Sequence, residues 1–137
     1  MQNFTPNTIV TEALAAQAAG QGTDESAAVD MAGHFNLTFI ANATTVVSGG
    51  TVSLSLEARD DPADDWQALA GSVSRDSAGV LALEVENPSK RYVRAVLTRA
   101  DENVTTDGVL ALQRRPSTAP VSHDDYSYQV VVSPEPA

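Results

Sequence analysis

From His34 onward the chain alternates apolar and polar positions with a period of two. Phe35, Leu37 and Phe39 alternate with Asn36, Thr38 and Ile40, and Val52, Leu54 and Leu56 alternate with serines. Leu81, Leu83 and Val85 alternate with Ala82, Glu84 and Glu86, while Val93, Ala95 and Leu97 alternate with Tyr92, Arg94, Val96 and Thr98. That period belongs to strands with one buried face. Ser48-Gly49-Gly50 and Asn87-Pro88-Ser89 interrupt the runs with turn residues, which predicts two hairpins. The second, Val80–Arg99, is the expected centre of the fold, with Leu83, Val93 and Leu97 in the core. A further run, Asp107–Leu112, follows Asp101-Glu102-Asn103, and Tyr126, Tyr128, Val130 and Val132 alternate near the end.

Asp60-Asp61-Pro62-Ala63-Asp64-Asp65 breaks the pattern and predicts an exposed loop, after which Trp66 and Leu69 are expected to return to the core. About seven short strands at close spacing predict an all-β fold, an antiparallel β-sandwich of jelly-roll type. The connections are too short for the crossover helices of a parallel sheet. Residues 1–30 differ in texture. Thr11 stands as an N-cap before EALAAQAA, with Gly20 as a stop, which signals a short helix. So many alanines bury little apolar area, however, and the competing expectation is a flexible N-terminal arm over 1–22 preceding a single domain over 23–137.

With 137 residues the chain is long enough for one core without disulfides, and it has no cysteine. No stretch approaches the roughly 18 apolar residues of a membrane-spanning helix, and no secretory leader pattern opens the chain, which leads to the expectation of a soluble, non-secreted protein. The net charge of −10 argues against nucleic acid as a partner. Six of the eight basic side chains nevertheless lie within residues 90–115, against three acidic ones. Arg91, Arg94, Arg99, Arg114 and Arg115, with Tyr92, therefore form a candidate face for an acidic protein partner, as against ordinary solubility charge.

Candidate chemistry is sparse. Asp60, Asp61, Asp64 and Asp65 lack the alternating ligands, glycine and closing glutamate of a calcium loop, and Pro62 stiffens the backbone where such a loop must curl, so no metal is expected there. His34 and His123 stand far apart with no ligand-spaced neighbour. No Gly-x-Ser-x-Gly elbow or phosphate-loop lysine accompanies the serines and glycines. Trp66, Tyr92, Tyr126 and Tyr128 are candidates for an aromatic surface or for packing at sheet edges.

The succession AAVDMAGH, TVSLSLEARDDPADDWQALAGS, KRYVRAVLTRAD and DGVLALQRRPSTAPVSHD, spanning Ser26 to Asp124, resembles the capsid cement, or decoration, proteins of tailed bacteriophages, with that of a Bordetella bacteriophage nearest in pattern. The resemblance implies a jelly-roll sandwich on the outside of the head, a homodimer whose partner is the major capsid protein, with no catalysis and no cofactor. A tail or neck structural protein and a carbohydrate- or receptor-binding sandwich are the alternatives.

Overall fold

The alternating runs become strands in the computed structural model, which describes residues 4–116. A 3-10 turn (Thr5–Asn7) leads into β1 (Thr8–Leu14), β2 (Gln17–Glu25), β3 (Val29–Asp30), β4 (His34–Val46), β5 (Thr51–Arg59), β6 (Gln67–Arg75), β7 (Gly79–Glu86) and β8 (Tyr92–Pro116). Every pairing is antiparallel. Among the described residues no helix is long and apolar enough to cross a membrane.

The 25-residue β8 joins two layers. Its first limb pairs with β5 on one side and with the end of β2 and β3 on the other. The second limb pairs with β4 and β1. One layer is thus β6-β5-β8-β2/β3 and the other β7-β4-β8-β1, and the nearly closed antiparallel sheet is a β-sandwich of jelly-roll type. Along β8 the buried positions change phase twice: Val93, Ala95, Leu97 and Arg99 face inward, then Val104 and Thr106, then Val109, Ala111 and Gln113. An odd step between buried positions flips every later side chain to the other face. Each flip contains a residue with positive φ, Asp101 (71°) in the first and Gly108 (98°) in the second.

Phe39, Leu37, Leu54, Leu81, Leu97 and Val52 fill the space between the layers and are fully buried. Each such side chain contributes about 1.5–3 kcal/mol through removal from water. Arg99 also points inward, at 7% exposure. It donates from Nη1 to the carbonyls of Ala18 (2.8 Å) and Val104 (2.9 Å) and from Nη2 to Asp24 Oδ2 (3.3 Å). Those groups lie where β2 slips register against β8 and where β8 resumes after its bend, so one guanidinium satisfies carbonyls on both sides of the corner.

Several sequence expectations change. The Val80–Arg99 hairpin does not form: β7 pairs with β4 (Leu81 opposite Ala41, Leu83 opposite Phe39) and β8 with β5, so Asn87-Pro88-Ser89 carries the chain from one layer to the other. The segments around Ser48-Gly49-Gly50 likewise cross between layers as β4 and β5. Alternation told which side chains face the core, but the two runs meet across that core rather than side by side. Leu83 and Val85 are only partly buried because β7 is an edge strand.

Asp107–Leu112 continues β8 instead of forming a separate strand. The expected helix over EALAAQAA is strand as well, and β2 runs across the expected arm boundary at residue 22. Small side chains bring little apolar area, but their backbone supplies the outer neighbour that both limbs of β8 need, and Thr8 and Ala13 are buried in the process. β6, unmarked by alternation, is an exposed edge strand bearing Gly71 at φ 102°. The alternation at Tyr126–Val132, together with His123, lies outside the described residues.

Two outcomes test this arrangement. Leu97→Ala should cost about 2–5 kcal/mol in chemical denaturation, because it opens a cavity between the layers, and Val96→Ala clearly less; the reverse order would place β8 one residue out of register. At Gly108, a Cβ would collide with the Leu14 carbonyl oxygen, at a φ that disfavours side chains. Gly108→Ala should therefore destabilise by more than about 1 kcal/mol, whereas a neutral result would remove the positive φ of Gly108 from the account of the β8 phase change.

Candidate functional site

The basic segment singled out by the sequence does not form one face. Arg91, Tyr92 and Arg94 come together at the outer side of the β5-β8 layer, Arg114 lies on the outside of the other layer, and Arg99 is inside. The side chain of Arg115 lies outside what the structure describes.

Each of the remaining cations in the segment already has a carboxylate. Lys90 reaches Asp60 at 3.5 Å. Arg91 grips Asp30 with two hydrogen bonds of 2.9 Å. That grip holds the Asp30 carboxyl below the usual carboxylate range and raises the Arg91 guanidinium. Arg94 sits between Glu57 (2.7 Å) and Glu25 (3.3 Å), Arg99 meets Asp24, and Arg114 meets Glu84 at 3.1 Å. The exposed pairs among them, unlike the buried Arg99–Asp24 contact, add little stability, but they cancel the positive field that would attract an acidic partner. The partners lie tens of residues away along the chain, so a local count of charges could not reveal the cancellation.

The acidic loop is held in the same way. Asp60 accepts from Lys90 and from the Arg91 backbone amide, Asp61 Oδ1 accepts from the Ala63 amide at 2.9 Å, and Arg59 donates to the Asp64 carbonyl. Among the described residues no three metal-ligating side chains converge. Trp66, expected in the core, lies outside on the β5-β8 surface, with the guanidinium carbons of Arg59 and Arg94 at 4.2 and 4.3 Å from its ring centroid. Two cations thus share one indole, and a sugar ring would have to displace a guanidinium to stack there.

A cleft of about 480 Å³ lies between β1 and residues 27–34, lined by small and aliphatic side chains together with Glu12, Asp30, His34 and Gln113. Among the described residues neither His34 ring nitrogen, both of them buried, has a hydrogen-bond partner.

The two outer faces of the sandwich differ. Outside β5 and the first limb of β8 stand Ser53, Ser55, Glu57, Arg94 and Thr98 together with Val96, Tyr92 and the Trp66 ring over Arg94, so apolar groups there are interspersed with charged ones. Outside the other layer, pairing aligns Ala82 with Ile40, Ile40 with Leu110, and Leu112 with Val10, and Val80 lies next to Ala82 on the same side of β7. Val80 is 58% and Leu110 44% exposed. Apolar side chains thus run across four adjacent strands on a surface open to solvent. The sequence carried this signal in Val80, Leu110 and Leu112, which stand on the outward phase, but pairing was needed to bring them together.

No family model matches the chain, and no curated protein does. Similarity appears among solved structures. The PBSX exported protein XepA superposes with a TM-score of 0.60 at 17% identity, covering 98% of this chain and 46% of that one. A chain in the structure of infectious bursal disease virus, Gx strain, gives 0.50 at 10% identity, covering 82% and 35%, and the Gt strain gives 0.49. The chain therefore spans less than half the length of these proteins, and what it shares with them is the antiparallel sandwich fold.

Proposed function

We propose that the chain is a cement protein that binds the outside of a tailed-bacteriophage head and clamps neighbouring major capsid subunits. The observation that carries this reading is the apolar stripe across β7, β4, β8 and β1, because a contiguous exposed apolar patch rimmed by polar residues gains from being covered by another macromolecule. The motifs between Ser26 and Asp124 that resemble phage cement proteins support it, including the resemblance to the Bordetella bacteriophage member. The sandwich shared with a chain of a virus structure agrees with it. On this reading the protein is structural rather than enzymatic, needs no cofactor, acts on the virion surface, and associates with itself as a homodimer. A ligand that binds only the assembled shell stabilises that shell by mass action.

The test is a copy count by gel densitometry on purified particles of the phage that encodes the chain. Abundance comparable to that of the major head subunit is expected. A handful of copies per particle would assign the protein to the tail or neck instead.

A further inference from the structure

The outer face of the β7-β4-β8-β1 layer combines an apolar centre with an acidic border. Val80, Ala82, Ile40, Leu110, Leu112 and Val10 occupy the centre. Around them stand Glu12, opposite Leu110; Glu86, beyond Glu84 on β7; and Asp107, whose carboxylate accepts from Asn42 Nδ2 at 3.0 Å. Among the described residues the one cation on this face, Arg114, is committed to Glu84 at 3.1 Å and to Asn36 Oδ1 at 2.9 Å. Glu84 is held in turn by Asn36 Nδ2 at 2.9 Å. The border is thus acidic and partly fixed in orientation.

We infer that this face docks onto a protein surface with an apolar centre ringed by lysine and arginine, and that a second copy of this chain is not its occupant. Strands about 4.8 Å apart and outward rows about 7 Å apart make the centre on the order of 300 Å², which is too small to hold two proteins alone. The border must therefore contribute to the contact. A two-fold contact would set the same face against itself, so two acidic borders would meet around the apolar centre on chains that each carry −10. Opposed like charges disfavour such a contact, whereas a basic ring satisfies the border and speeds encounter. This reverses the polarity expected from the sequence: the chain offers acid and apolar surface, and its partner offers base. The inference rests on the cement reading for the partner's identity, the major head subunit, and a homodimer would use a different surface.

The test is co-sedimentation with undecorated heads assembled from the head subunit of the same phage, alongside analytical ultracentrifugation of the isolated chain. Leu110→Glu should weaken attachment about tenfold or more, because it places a charge in the apolar centre. Val80→Glu, at the exposed sheet edge, is the second variant if Leu110→Glu does not fold. Glu12→Lys combined with Glu86→Lys should weaken attachment with the apolar centre intact, and Arg91→Ala should leave it unchanged. Wild-type attachment should fall as salt rises.

Retained attachment in Leu110→Glu or Val80→Glu overturns the inference while leaving the cement reading in place. Conversion of a dimer to a monomer by either variant assigns the face to a second copy and overturns it too. Heads that do not bind the wild-type chain overturn the cement reading, and with it this partner.

Discussion

The structure depends on one strand serving two layers. β8 can do so only if its buried side chains change phase where it bends, and the two phase changes contain the residues with positive φ, Asp101 and Gly108. At the corner the ladder cannot continue regularly, because β2 slips register as it passes from one limb to the other. Carbonyls freed in this way must find donors or remain unsatisfied away from water. Arg99 reaches them with a buried guanidinium anchored by Asp24, which explains an arginine at an inward position of an otherwise apolar run. The strands that flank β8 then follow from its two limbs, and the core fills the space between.

The same economy governs the surface. A chain with more than twice as many acids as bases has carboxylates to spare, and in the folded state every described cation of residues 90–115 finds one. Arg91 and Asp30 show the consequence for pH. The bidentate contact depresses the Asp30 carboxyl, so the pair contributes to stability above the ordinary carboxylate pKa, and that contribution is lost as pH falls through the depressed value. Because both groups are largely exposed, the effect on the fold is small. What remains for partners is uncompensated acid and the apolar stripe on the opposite layer.

The sequence by itself determined the class of the fold and most of the core. A period of two in Leu37, Phe39, Leu54, Leu81, Val93 and Leu97 is a statement about which side of a strand is buried, and each of these side chains lies inside. The acidic loop was legible for the same reason, since proline and paired aspartates exclude a strand locally. Pairing was not legible. Alternation is identical whether two runs lie side by side or face each other across a core, so the expected hairpins at Asn87-Pro88-Ser89 and Ser48-Gly49-Gly50 became crossings between layers. Likewise, the alanine-rich opening bears no side-chain signal for strand, because β1 and β2 are held to β8 chiefly by backbone hydrogen bonds that any sequence can make. The surface depended entirely on tertiary structure: basic residues adjacent along the chain were separated and neutralised by distant acids, while Val80, Ile40 and Leu110, far apart along the chain, became neighbours because strand order, which no local pattern encodes, placed β7, β4 and β8 together.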